Sequence, residues 1–428
     1  MILTSLLLLI GLLALSLPVA SALALLGMSL GELYAGMPIM RAMGETTWAA
    51  NSDAIIVCVP LFILMGEILL RSGVAERMYD AMIQWMSWLP GGLMHSNIAA
   101  CAMFAATSGS SAATAATIGT VSIPEMRKHG YSDKLFLGSI AAGGTLGILI
   151  PPSVNMIVYG VLTDTSIPKL YLAGFIPGFL LAGLFMLTIL ACCMFRPAWG
   201  GERTHATWAA RIRSLPSLVP PLMLFVIVIG SIYAGVATPT ESASLGVIAA
   251  IGLAAWNRRL TWPVVRDAIE GTMRTTAMIL LIFIAAFFLN FVIAAIGLSQ
   301  GINRVIVELG VSPLATIMAI VIFYLILGCF METMAMMITT VPIMTPLIKS
   351  MGYDPIWFGI IVILMVETAM ITPPVGVNLY IVQGIRRQGA LQDIMFGAAP
   401  FVLALLSMVA LIIAFPNLAL WLPTFLKQ

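Results

Sequence analysis

Two stretches of this chain gather oxygen-bearing side chains within otherwise apolar sequence. The first is Thr107-Ser108-Gly109-Ser110-Ser111, followed by Thr114 and Thr117; the second is the pair Glu332-Thr333. Each is followed by a segment that runs into two consecutive prolines. After the first comes Gly143-Gly144-Thr145-Leu146-Gly147, leading to Pro151-Pro152-Ser153. After the second comes Glu367-Thr368, leading to Thr372-Pro373-Pro374, with Gly376 and Asn378 beyond. Hydroxyl and carbonyl oxygens are what an alkali cation needs in place of its water, and a helix N-terminus can face an anion. Proline has no N–H and pushes the residue before it into extended geometry. Carbonyls about one turn upstream are thereby released to bind something. Small residues also serve helix packing in membranes, which suits Ala112, Ala113, Ala115 and Ala116, and a proline can do no more than kink a helix. Three glycines beside two prolines exceed the needs of a kink. The serines interrupt a span, so both features are read as parts of a site, with Gly143–Ser153 unwound.

Carboxylates are costly in mid-bilayer, by about 2.5–3.5 kcal/mol on insertion scales, so one found there usually faces a partner or a cavity. Glu332 and Glu367 are therefore read as functional. Glu67 is read instead as an i,i+4 pair with Arg71, and Glu241, after Thr238 and Thr240, as helix-start chemistry. His95 and His129 stand alone. The chain has no GxxxxGK[ST] nucleotide loop, no HExxH and no GxSxG, so neither ATP hydrolysis nor an intramembrane enzyme is expected. The five cysteines lie in apolar runs without CxxC spacing and read as small buried hydrophobes rather than a metal site.

The elements that must position these residues follow from composition. Apolar types make up 61% of the 428 residues and charged types 9%, against roughly 45–50% and about 25% in soluble domains. Such a surface fits only the bilayer, and the long runs rich in Leu, Ile, Ala and Met belong to helices rather than a β-barrel. About 20 helical residues cross a bilayer core. Spans are predicted near 2–30, 54–70, 135–163, 170–195, 217–236, 241–256, 276–296, 355–382 and 393–415. Regions 93–125 and 312–348 are apolar but interrupted at the two polar tips, and read as re-entrant hairpins, tolerated only where protein or a water-filled cavity covers the freed backbone.

Pro124, Gly130, Tyr131, Pro151 and Pro152 recur 222 residues later as Pro346, Gly352, Tyr353, Pro373 and Pro374, the mark of an internal repeat. Basic residues follow the first hairpin (Arg127, Lys128, Lys134) but the second broken span (Arg386, Arg387). Cytoplasmic loops carry the Lys/Arg excess, so equivalent loops face opposite sides and the halves are inverted. The tracing puts Arg71, Arg77, Arg196–Arg213 and Arg258–Arg274 on the cytoplasmic side, the N-terminus inside and the C-terminus outside. The predicted fold is an all-α polytopic membrane protein: an inverted repeat with two re-entrant hairpins and two broken helices. Many secondary transporters are built this way, with their sites at the midplane.

The motifs ATSGSSAATAATIGTVSIPEM, GGTLGILIPPS, GVATPTESAS and TPPVGVNLY resemble those of the large membrane subunit of tripartite ATP-independent periplasmic (TRAP) transporters, over essentially the whole chain. The resemblance implies an elevator-type fold and a sodium-driven importer of an organic anion, a carboxylate or sulfonate. It implies a periplasmic substrate-binding protein and a small four-helix membrane subunit as partners, in the bacterial inner membrane, with no cofactor beyond sodium ions; the net charge of +2 predicts no nucleic acid as partner. Carried over by position, one sodium site would use Ser108, Ser110, Ser111 and Thr145, and the other Glu332, Thr333 and Thr372. Substrate would lie between the tips, with Gly109, Thr114, Gly143, Gly144, Gly147, Pro151, Ser153, Glu367, Thr368, Pro373, Gly376 and Asn378 completing the surroundings. The expected division is scaffold 1–90, transport 91–195, connector and scaffold 196–310, transport 311–415 and tail 416–428, with arm helices near 71–90 and 299–311. The alternative is an autonomous sodium- or proton-coupled anion carrier that works without a binding protein.

Overall fold

A computed structural model describes all residues except 16, 37, 53, 54, 203–205, 299, 302, 303, 305–307, 309, 427 and 428. Among the described residues regular structure is helical throughout. The first half comprises α1 (Ile2–Ala14), α2 (Val19–Tyr34), α3 (Ala42–Ser52), α4 (Cys58–Arg71), α5 (Val74–Met86), α6 (Gly92–Ser108), α7 (Ser111–Lys128), α8 (Asp133–Leu149), α9 (Val154–Thr163) and α10 (Ile167–Phe195). A short helix, α11 (Trp208–Ser214), leads to α12 (Val219–Tyr233), α13 (Pro239–Trp256) and the 34-residue α14 (Trp262–Ala295). The second half continues with α15 (Pro313–Gly328), α16 (Thr333–Ser350), α17 (Pro355–Ile371), α18 (Val377–Arg386), α19 (Leu391–Ala414) and α20 (Asn417–Phe425).

Both hairpins form as predicted, α6–α7 and α15–α16, and both double prolines break a span, between α8 and α9 and between α17 and α18. The inversion is visible in the contacts. On one face Arg386, which ends the second broken span, donates to Asp133 at 2.6 Å and its carbonyl accepts from Arg127 at 3.2 Å. On the opposite face the loop after the second hairpin meets the end of the first broken span. There Tyr159 donates to the Pro355 carbonyl at 2.6 Å, and Lys349 to the Thr163 carbonyl at 3.4 Å. The other basic segments gather together: Arg211 reaches the Gln84 carbonyl, Asn257 the Ser72 carbonyl, and Arg259 approaches Glu76. Glu202 reaches His129, joining that connector to the loop after hairpin 1.

Helix packing rests on small residues. Gly138 of α8 and Gly397 of α19 meet backbone to backbone, leaving no room for a Cβ on either; such close approach is how helices associate where lipid supplies no hydrophobic drive. Trp357 of α17 is buried against the far end of α19 and donates to the Ile412 carbonyl at 2.9 Å. Helices α2, α3 and α4 pack on α14, and α13 packs on α4.

Several expectations need correction. The first span is not one helix. Pro18 separates α1 from α2, and Tyr34 donates to Thr4 at 2.8 Å, so the two double back on each other. The N-terminus therefore lies on the same face as residue 34, opposite to the tracing. Between the first two predicted spans lies α3, the span predicted at 276–296 begins at Trp262, and the tail forms α20, which packs on α10. The arm predicted at 299–311 lies largely outside the described residues. Residues 71–90, expected as an arm, contain the helix α5, turned 67° from α4 at Gly73, whose φ of 74° suits glycine. Glu67 pairs with Arg71, and Thr238 with Glu241 forms a reciprocal capping box.

Candidate functional site

The first tip is a helix start. Ser110 is the N-cap of α7 and accepts from the Ala113 N–H at 3.3 Å; Ser153 caps α9 in the same way through Met156. Gly109 turns the chain between the hairpin arms at φ 61°. Ser108 and Thr114 hydroxyls lie 2.9 Å apart, and Thr114 donates to the Ser110 carbonyl at 2.7 Å.

This tip is seated on the first break. A Cβ on Gly109 would meet the Pro152 carbonyl oxygen at 2.7 Å, and one on Gly147 would meet the Ser110 carbonyl oxygen at 2.6 Å. A Cβ on Gly144 would meet that of Ala115 at 2.7 Å, and one on Gly143 the Cys101 sulfur at 2.8 Å. The three glycines are thus not an unwound strand. Helix α8 runs through them to Leu149, and the break is confined to Ile150–Ser153. Their absent side chains let the hairpin approach. Pro151 and Pro152 have no N–H to give to the carbonyls of Gly147 and Ile148, so two acceptors beside the tip lose their helical donors.

Asn378 belongs to this same cluster. The sequence places it with the second half, yet its amide donates to Ser111 at 2.9 Å and to the Ala141 carbonyl at 3.0 Å. The start of α18 is therefore tied to the first tip, joining the halves. Sequence reasoning could not see this, because the partners are 267 and 237 positions away.

The second tip repeats the design with other atoms. Glu332, 222 residues after Ser110, is the N-cap of α16; it accepts from Met334 and Ala335 at 3.0 and 3.2 Å, and from the Thr333 hydroxyl at 2.7 Å. Cys329 approaches the Pro373 carbonyl at 3.5 Å, and Gly328 leaves no room against Ala369, so this tip lies on the second break. Thr368 and Thr372 donate to the carbonyls one turn back, at 2.7 and 2.6 Å, as Thr145 does to Ala142. A threonine that spends its proton in this way keeps its lone pairs for a cation. Gly376 caps α18 at φ 21°. Pro151, Pro152 and Ser153 are buried, whereas Pro373 and Pro374 are exposed.

Glu367 belongs to the second broken span but reaches the first. It is fully buried, faces the Leu149 backbone at the first break, and among the described residues neither carboxylate oxygen has a hydrogen bond of ordinary geometry. Among the described residues no three His, Cys, Asp or Glu side chains cluster as a transition-metal site would require. Caps, carbonyls and hydroxyls at two broken helices are oxygen chemistry suited to alkali cations and anions.

An inverted repeat with paired hairpins seated on paired broken helices defines a polytopic transport protein. Residues 6–418 match the family described as "Tripartite ATP-independent periplasmic transporter, DctM component". The C4-dicarboxylate TRAP transporter large permease protein DctM of Vibrio cholerae is 31% identical over 98% of this chain and 96% of its own length. The ectoine/5-hydroxyectoine TRAP transporter large permease protein UehC of Ruegeria pomeroyi is 32% identical over 91% of each. The Alcanivorax borkumensis YdaH transporter shares the fold, with a TM-score of 0.67 at 15% identity over 97% of this chain and 98% of that one. This chain belongs to the DctM family of TRAP transporter large permeases. It is a transport subunit, not an enzyme.

Proposed function

We propose that this chain is the translocating subunit of a sodium-coupled, secondary-active importer in the bacterial inner membrane, with the basic face cytoplasmic. Its substrate is a small organic anion, a carboxylate or sulfonate, handed over by a periplasmic binding protein, and a small four-helix membrane subunit completes the complex. The relatives named for C4-dicarboxylates and for ectoine support a carboxylate-bearing substrate. The observation that carries the reading is the pair of repeat-equivalent helix caps, Ser110 and Glu332, each seated on a broken helix. Sodium is held by hydroxyls and freed carbonyls there, at Ser108, Ser110, Ser111 and Thr145 in one half and at Glu332, Thr333 and Thr372 in the other.

Residues 91–195 with 311–415 move as one body against 1–90 with 215–310. In support, the Asn378 amide and the Gly138–Gly397 contact bind the two transport segments together, while α4 touches the tip where Gly66 lies under the Ser108 carbonyl. The test is uptake into liposomes holding the purified complex, with binding protein outside and sodium as the only gradient. Uptake that needs sodium, rises more than linearly with it and stops without binding protein is expected. Full-rate uptake in sodium-free medium with no other cation gradient would sink the coupling. Full-rate uptake by the lone chain would make it an autonomous carrier.

A further inference from the structure

A groove of about 740 Å³ opens on the outer surface of the molecule between α12, α13 and the start of α5, far in sequence from both tips. Its walls are apolar (Met223, Leu224, Ile227, Leu253), and Met223 is 58% exposed. At the face that carries the basic segments it adjoins a second recess of about 450 Å³, with which it shares Arg77 and Ser217. That recess is polar: Arg77, Arg213 and Asp80 line it, with Gln84 and Thr207. Among the described residues neither Arg77, Arg213 nor Asp80 forms an ion pair. Trp256 stands at the rim, 85% exposed.

We propose that this composite groove holds one membrane glycerophospholipid. Its acyl chains lie along α12 and α13, and its phosphate sits between Arg77 and Arg213, with the Ser217 hydroxyl within the same recess. An apolar slot ending in two guanidiniums has the polarity sequence of a lipid; a partner helix, apolar along its length, would leave both arginines uncompensated in its interface. Arginine's planar fork suits phosphate oxygens. Asp80, the carboxylate among the lining residues, then meets the far end of the headgroup. It favours an ethanolamine or glycerol headgroup, which can donate a hydrogen bond, over choline, which cannot. The lipid fixes the start of the arm helix α5 against α12 and α13.

The test is native mass spectrometry on the purified full chain, stripped in detergent and offered dioleoyl phosphatidylethanolamine, phosphatidylglycerol or phosphatidylcholine. One lipid should be retained, the first two at least about fivefold over the third. Replacing Arg77→Ala with Arg213→Ala should lower retention roughly 25-fold, about fivefold per basic side chain at a lipid surface; Arg274→Ala, an exposed control, should not. Gly252→Trp should fill the groove, since nothing lies within 4 Å of a Cβ there, and should lose the lipid while the melting temperature holds. Should the double arginine variant fail to fold, Gly252→Trp alone decides. Equal retention of choline lipid, or unchanged retention in Gly252→Trp, would overturn the proposal. So would a Gly252→Trp variant that loses a copurifying membrane subunit but keeps its lipid, because the groove would then be that subunit's seat.

Discussion

Gly147→Ala adds one methyl group where the first hairpin tip rests on α8, and the structure says what it meets. The new Cβ would lie 2.6 Å from the Ser110 carbonyl oxygen, 2.7 Å from its carbon and 2.9 Å from the Thr114 hydroxyl. These atoms are mostly backbone and cannot swing aside. Ordinary contact begins at 3.4 Å, so the tip must retreat by about 0.8 Å (3.4 less 2.6). Ligand distances to a metal ion tolerate only about ±0.2 Å, so a cation held by tip and break together loses part of its shell. Fold stability should fall by no more than about 2 kcal/mol: alanine is better than glycine inside a helix by about 1 kcal/mol, against an overpacking cost of about 1–3 kcal/mol. The expected result is a well-expressed protein whose sodium concentration for half-maximal uptake rises at least about tenfold, or ~1.4 kcal/mol. Liposome uptake against a sodium series measures it. Gly183→Ala in α10 is the control, because nothing lies within 4 Å of its Cβ; its uptake should be unchanged. Wild-type sodium dependence in Gly147→Ala would refute the idea that tip and break share an ion.

Asn378→Ala removes the bonds to Ser111 and the Ala141 carbonyl, each worth about 0.5–1.5 kcal/mol; a lower melting temperature and weaker sodium dependence are expected, and no change in either would detach Asn378 from the first cluster. Glu332→Ala should cost about 0.5–2 kcal/mol as a lost N-cap, measured by thermal unfolding, while Glu332→Gln keeps one acceptor oxygen. Wild-type transport by Glu332→Gln would show that the carboxylate charge is not a sodium ligand. A reducible disulfide between α4 and α6 should stop transport and release it on reduction; turnover unaffected by the closed bridge would count against sliding domains.

Much of this architecture is legible because proline and glycine punctuate it. Five repeated positions place both hairpins and both breaks, and the arginines orient them, as the Arg386–Asp133 contact bears out. What escaped reading was long-range. Apolar sequence continues on both sides of Pro18, and a proline can kink a span or end one; only the Tyr34–Thr4 contact across α1 and α2 decides. Helix α14 continues through a charged turn that reads as a loop, because Arg266 and Glu270 pair at 2.6 Å along it while Ala268 and Thr272 stay buried. The glycines of α8 show the same ambiguity. Glycine serves unwinding and close approach equally well, and the neighbouring hairpin, not the local sequence, selects the second.

The two tips share a position but not a chemistry, and this bears on how each half can hold an ion. At the first tip the cap is a neutral hydroxyl that takes one backbone N–H, so Ser108, Ser110, Ser111 and Thr114 still hold unused lone pairs around the freed Gly147 and Ile148 carbonyls. At the second, three donors already converge on the two oxygens of Glu332. A carboxylate so engaged stabilises the start of α16 through both hydrogen bonds and the helix dipole, and has less to offer a cation. The second site must then rely on the Thr372 hydroxyl and on carbonyls loosened by Pro373 and Pro374, at a break exposed where the first is buried. Two ions bound in this way should differ in affinity, with the first half the tighter. Removing hydroxyls at Ser108 and Ser111 together should abolish the high-affinity phase of sodium activation and leave the low-affinity phase, a split that two equivalent sites would not show.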